Sequence, residues 1–154
     1  MARACSILGV KWLTVVRLAQ SGFLEMIDYR YHSWKKIRYQ SIVDFCDELR
    51  RVYRIPDRRP KLSAPYLRYR DEDLLPFPMS ITMFADEALA ALGVANRRVL
   101  PLLVEEGRFE AYRLVVGSPW RISRPSFAEY LKEAHSGPQS RAHAYQRMPG
   151  DYSL

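Results

Sequence analysis

Residues 4–10 (ACSILGV) and residues 88–94 (ALAALGV) decide the fold, because the chain carries this pattern twice at an offset of 84 residues. Each copy is a short helical pattern that runs into Leu-Gly-Val. A glycine at that point ends a helix and starts a tight turn. A repeat of this kind predicts two copies of one small supersecondary unit.

The repeat continues beyond the turn. The apolar and glycine positions that follow correspond in order, Val15, Leu18 and Gly22 with Val99, Leu102 and Gly107. This alignment puts one extra residue in the second copy just before its glycine, and from there the offset is 85 as far as Phe45 and Tyr130. Residue class is preserved more than identity, as duplicated packing requires.

Each copy predicts the same order of elements. A helix ends at Leu-Gly-Val, and a second helix of about three turns stops at the next glycine. A β-hairpin follows, built from residues 24–31 with 34–39 in the first copy and 109–116 with 120–123 in the second. A closing helix is expected over 41–53 and 126–133, with a serine at each N-cap. The predicted fold class is α+β and mainly helical, with two or three helices and one hairpin in each copy.

The predicted domains follow from these elements. Residues 1–54 form the first module and residues 79–134 the second, where 79–83 add an extended lead-in that the first copy lacks. That difference leaves open whether the chain is a fragment of a longer protein. Residues 55–78 contain five of the ten prolines and mixed charge, which predicts an extended connector. Residues 135–154 are polar and are expected to be a flexible tail.

Several short motifs resemble the excisionase and MerR-like winged helix-turn-helix proteins. The first copy supplies Leu8-Gly9-Val10, Thr14-Val15, Arg17-Leu18 and Gly22, and the second supplies Leu92-Gly93-Val94 and Trp120-Arg121-Ile122-Ser123-Arg124. The first copy departs by having Lys35-Lys36-Ile37 in place of the tryptophan run. The second departs by having Pro101 in its recognition helix. An interior proline costs about 3 kcal/mol or bends the helix, unless the helix begins near Leu100 and holds it in the first turn.

The resemblance implies tandem winged helix-turn-helix modules that bind double-stranded DNA sequence-specifically, in transcription control or in the excision or transposition of a mobile element. Two alternatives stay open. The chain is a DNA-recognition fragment of a TniQ-type transposon targeting protein, or it is a winged-helix adaptor that binds another protein through its second module.

The candidate DNA contacts lie at the start of each second helix and around each wing, where side chains reach the major groove and the backbone. In the first copy they are Lys11, Trp12, Thr14, Arg17, Arg30, His32, Lys35 and Lys36. In the second copy they are Asn96, Arg97, Arg98, Arg113, Arg121 and Arg124. Arg17 is suited to guanine and Asn96 to adenine.

The charge distribution favours the first copy as the better DNA reader. The chain has a net charge of +7. Residues 1–54 hold ten Lys and Arg against five Asp and Glu, whereas residues 79–134 hold seven of each. Phosphate neutralisation supplies most non-specific affinity for DNA. The arginine pairs 50–51 and 58–59 with Lys61 are either a solvated face or further phosphate contacts.

Other function classes find little support in the sequence. Cys5 and Cys46 lie in apolar runs typical of buried thiols, and the three histidines are scattered, so no metal site or cofactor is predicted. No phosphate-binding glycine loop or nucleophile motif is present, which argues against an enzyme and a small-molecule substrate. No apolar run is long enough to span a bilayer, so the expected location is the cytoplasm, at the nucleoid.

Overall fold

The computed structural model describes residues 1–28, 35–60 and 69–136. Over these ranges the chain has six α-helices and two small antiparallel sheets, which confirms an α+β fold that is mainly helical. It divides into two compact units, unit 1 (Met1–Met79) and unit 2 (Ser80–Leu154).

Unit 1 contains three helices and one hairpin. Helix α1 (Ala2–Leu8) and helix α2 (Trp12–Gln20) are joined by a tight turn. Strands β1 (Met26–Asp28) and β2 (Lys35–Ile37) then pair antiparallel. Helix α3 (Tyr39–Tyr53) closes the series. The buried side chains of these helices and of the loop after α2 form the core of the unit, among them Ile7, Leu8, Val15, Leu18, Leu24, Ile42, Phe45 and Leu49.

Unit 2 repeats this order and adds a strand in front. Its elements are β3 (Thr82–Phe84), α4 (Ala85–Leu92), α5 (Val99–Glu105), β4 (Ala111–Tyr112), β5 (Arg121–Ser123) and α6 (Arg124–Ser136). The sheet order is β3-β5-β4, and both pairings are antiparallel. Strand β3 falls at the end of the extended lead-in that the sequence predicts. Helix α6 extends to Ser136, so it includes the first two residues of the predicted tail, and 137–154 lie outside the described residues.

The turn after the first helix has the same geometry in both units. Gly9 and Gly93 adopt left-handed conformations, with φ of 65° and 69°. The next backbone N–H donates back into the helix in each case, from Val10 to the Cys5 carbonyl and from Val94 to the Leu89 carbonyl, both at 3.1 Å. The repeated Leu-Gly-Val therefore ends both helices by one mechanism.

The two closing helices are held by a duplicated hydrogen bond. The Ser41 hydroxyl accepts from the Glu25 backbone N–H at 3.0 Å, and the Ser126 hydroxyl accepts from the Glu110 backbone N–H at 2.8 Å. The four residues keep the offset of 85. Both serines lie inside the first turn of their helices rather than at the N-cap, so the predicted capping role is wrong. Each serine instead ties its helix to the residue before a strand.

The sequence alignment puts the extra residue of the second copy just before Gly107, but the structure puts it earlier in the chain. The Phe23 N–H donates to the Leu18 carbonyl at 2.9 Å, and the Arg108 N–H donates to the Leu103 carbonyl at 3.0 Å. Leu18 therefore corresponds to Leu103, and both are buried. The predicted counterpart, Leu102, is only partly buried.

The same offset of 85 already holds at the start of the second helix. The Thr14 N–H donates to the Lys11 carbonyl, as the Val99 N–H does to the Asn96 carbonyl. Because the offset is 84 at Val10 and Val94, the extra residue is Ala95, in the turn between the helices. Trp12 and Arg17 therefore correspond to Arg97 and Leu102.

Pro101 is accommodated without breaking a helix. Helix α5 begins at Val99, so Pro101 is its third residue. Backbone N–H groups of the first turn have no partner within their own helix, and a missing N–H costs little there. Of the two outcomes that the sequence left open, a helix that holds the proline in its first turn is the one found.

Residues 55–78, predicted to be an extended connector, are not a separate spacer, because their described residues belong to unit 1. Leu74, Leu75 and Phe77 are buried. The Arg50 guanidinium, itself buried on α3, donates to the carbonyls of Asp73 at 3.0 Å and Leu75 at 2.7 Å. A chain segment with a buried apolar run and these two anchors is part of the fold of unit 1.

Candidate nucleic-acid interface

Helix α2 presents an amphipathic surface in unit 1. Val15 and Leu18 are fully buried and Thr14 is half-buried. At 100° per residue, the opposite face is centred on Leu13, Arg17 and Gln20, at spacings of four and three residues. All three side chains are exposed, and Leu13 retains 47% of its accessible surface.

Two predicted residues lie at the beginning of this helix. Lys11 is the residue before its first turn and Trp12 is the first helical residue. Trp12 is 62% exposed, so it is not a core side chain. Leu13 and Gln20 were not predicted, although the inward positions of Val15 and Leu18 already place them on the outward face.

The hairpin adds two basic side chains. Lys35 and Lys36 are both exposed on β2, and Lys36 lies opposite Ile27 in the antiparallel pair. The other predicted wing contacts, Arg30 and His32, lie outside the described residues.

Lys11 and Arg17 have no counter-ion among the described residues, unlike the ion-paired arginines of unit 1. Within 1–28, 35–60 and 69–79, neither side chain has a hydrogen bond or an ion pair. Several other arginines of the unit are paired, Arg3 with Asp71, Arg38 with Glu25, Arg51 with Glu48 and Arg59 with Asp57, whereas Arg54 has no ion pair among the described residues. The positive charge on α2 is therefore available to an anion outside the unit.

Two arginines of the basic cluster at residues 50–61, Arg50 and Arg59, have a structural role. The Arg59 guanidinium is held by both carboxylate oxygens of Asp57, at 2.8 and 2.7 Å, and lies over the Tyr69 ring. This contact lowers the pKa of Asp57 to about 2 and raises the pKa of Arg59. Arg50 is buried, and desolvation lowers its pKa. Neither arginine is a solvated side chain or a phosphate contact.

No family model, curated protein or solved structure matches this chain. No helix in the described part of the chain is long and apolar enough to cross a membrane. Over the same residues, His, Cys, Asp and Glu form no group of three that could hold a metal ion.

On the second-helix surface of unit 2, the side chains of Asn96 and Arg97 are engaged. The Asn96 carbonyl oxygen accepts from the Arg98 backbone N–H at 3.1 Å, which uses the side chain predicted to read adenine. Arg97 is ion-paired with Asp86. Arg98 is exposed at the N-cap of α5. The position that corresponds to Arg17 is Leu102, which has no charge.

The predicted wing arginines of unit 2 are also occupied. Arg121 is only 5% exposed, and its guanidinium lies 5.8 Å from the centre of the Tyr112 ring. It is not available to DNA, contrary to the prediction, because its side chain is buried beside Tyr112, its partner in the β4–β5 pair. Arg124 pairs with Glu87 at 2.8 Å. Arg113 is half-buried and stacks on Trp120 at 4.6 Å.

Proposed function

We propose that this chain binds double-stranded DNA sequence-specifically through two winged helix-turn-helix modules, of which unit 1 is the reader. The observation that carries the proposal is the contrast between the two second helices. Helix α2 exposes Lys11 and Arg17 without a partner among the described residues. In unit 2 the corresponding surface has an engaged asparagine, a paired arginine and a leucine, and an exposed arginine, Arg98, takes the position of Leu13.

The proposed complex has α2 in the major groove. Arg17, at the centre of the exposed face, donates two hydrogen bonds to a guanine, and Leu13 contacts the methyl group of a neighbouring thymine. Lys11 and the two lysines of β2 neutralise phosphates on either side of the groove. Trp12 packs against the sugar-phosphate backbone at the edge of the contact.

The charge of each unit supports this division of labour. Residues 1–79 carry fifteen Lys and Arg against nine Asp and Glu, and residues 80–154 carry nine against eight. A surplus of cations draws a protein to DNA at long range. The setting we propose is the control of transcription or of a mobile element in the cytoplasm.

The experiment is selection of bound sequences from a pool of random duplexes by the whole chain, followed by affinity measurements on the selected site. We expect one enriched motif. Replacing Arg17 by Ala should weaken binding to this site by about tenfold to a hundredfold, because a bidentate arginine–guanine contact discriminates by about 1–3 kcal/mol.

Arg98→Ala is the matched control. It removes the same charge from an exposed arginine of the second helix in unit 2. We expect a loss of no more than about threefold, as for removal of a single phosphate contact. Equal losses in the two variants would show that only net charge matters. Absence of any enriched motif would refute sequence-specific binding.

A further inference from the structure

Unit 2 contains a cleft that the proposed DNA contacts do not use. It lies between the start of α4, the start of α5 and the loop from β4 to β5, and has a volume of about 570 Å³. Clefts of about 300–1,000 Å³ lined by aromatic and few polar groups are typical binding sites. The residues that define its chemistry are Phe84, Asp86, Arg97, Arg113, Pro119 and Trp120.

Arg113 is the unusual group in this cleft. Its guanidinium stacks on the Trp120 ring at 4.6 Å, and its Nε is shielded from solvent without a hydrogen-bond partner. Among the residues that the structure describes, no carboxylate pairs with it. A half-buried cation without a counter-ion destabilises the fold, because it has lost part of its hydration. A ligand carboxylate that pairs with this cation therefore binds strongly.

The remaining charge in the cleft is balanced. Arg97 is ion-paired with Asp86 on the opposite wall. Within the lining the cations exceed the carboxylates by one, so a single negative group neutralises the cleft. Nearby, Arg124 is already paired with Glu87. This pattern fits an isolated carboxylate better than the continuous line of phosphates along DNA.

The apolar surface continues beyond the cleft. Phe84 is 45% exposed at its edge, and Val116, next to the loop glycine Gly117, is 88% exposed. Val116 does not line the cleft, so a small molecule held in the cleft would leave it uncovered. Phe84 and Val116 can cover the apolar neighbours of an acidic residue in an extended segment.

We propose that this cleft binds a short acidic peptide segment of a partner protein. One Asp or Glu carboxylate pairs with the Arg113 guanidinium, and an adjacent aromatic or aliphatic side chain packs between Phe84 and Pro119. The stack on Trp120 holds Arg113 in place before binding, which reduces the entropy lost on association. This site is independent of DNA binding by unit 1.

The test measures binding of the whole chain to two pools of fluorescein-labelled hexapeptides by fluorescence anisotropy. Both pools have aromatic or aliphatic residues on either side of one fixed interior position. That position is Glu in one pool and Gln in the other. We expect the Glu pool to bind at least about tenfold more tightly, because the charge-assisted hydrogen bond is lost with Gln. Arg113→Gln should remove this preference, and Arg98→Gln, an exposed arginine outside the cleft, should leave it unchanged.

A second variant keeps the proposal testable if Arg113→Gln fails to fold. Phe84→Ser changes an exposed ring and should weaken the Glu pool severalfold with the fold intact. Equal binding of the two pools, or no binding of either at millimolar peptide, would overturn the proposal. So would a result in which Arg113→Gln weakens binding to duplex DNA and has no effect on the peptides, because the cleft would then hold a phosphate.

Discussion

At the scale of single residues, Arg50 anchors the segment after α3. Its guanidinium donates to two backbone carbonyls in residues 73–75. Arg50→Ala leaves both carbonyl oxygens without this donor, and we expect a loss of about 2–4 kcal/mol in the free energy of unfolding, measured by urea denaturation. The neighbouring variant Arg51→Ala removes a fully exposed pair with Glu48, which solvent screens, and should leave the free energy of unfolding almost unchanged. Similar costs for the two variants would contradict this role.

The pair of Asp57 and Arg59 predicts a dependence of stability on pH. The contact lowers the pKa of Asp57 from 3.8 to about 2. The stabilisation is therefore complete above about pH 4 and is lost as the pH falls through about 2. Because half of the Asp57 side chain is exposed, we expect about 1 kcal/mol or less. The difference in unfolding free energy between the wild type and Asp57→Asn should shrink between pH 5 and 2, and a difference that stays constant with pH would contradict the pairing.

At the scale of elements, the two left-handed glycines offer a matched comparison. A Cβ at Gly9 would lie 3.2 Å from the Met79 side chain, whereas a Cβ at Gly93 meets nothing within 4 Å. We expect Gly93→Ala to cost about 1–2 kcal/mol from backbone strain alone. Gly9→Ala should cost more, and Met79→Ala should reduce the excess. Hydrogen exchange at amides of α1 and α4 measures the two effects separately. Equal losses of stability in Gly9→Ala and Gly93→Ala would show that the Met79 side chain moves aside without a cost in free energy.

The sequence predicts the order of elements well, because its signals are local. Glycine caps and apolar spacing recur in both copies, so each copy by itself predicts its helices and its hairpin. It misplaces the extra residue because residues 99–104 (VLPLLV) are nearly all apolar, and offsets of 84 and 85 both match them. The burial of Arg121 and the docking of 74–77 depend on contacts far apart in the chain, which a local pattern does not record.

At the scale of the whole molecule, the charge and the two cores predict that the activities separate. Unit 1 and unit 2 are each compact by themselves, and unit 1 holds most of the net positive charge. We expect residues 1–79, produced alone, to fold and to retain most of the affinity of the whole chain for the selected site, with a comparable salt dependence. Residues 80–154 should fold and bind the site at least about a hundredfold more weakly.

The comparison of these two pieces with the whole chain also tests whether the second module reads DNA. Linkage of two modules that both bind raises affinity by about a hundredfold or more over either one, without a new contact. If only unit 1 reads DNA, an equimolar mixture of the pieces should bind the selected site as the whole chain does. A whole chain that binds far more tightly than the mixture would show that unit 2 also contacts the site, and Arg97 would then have to exchange the Asp86 carboxylate for a phosphate.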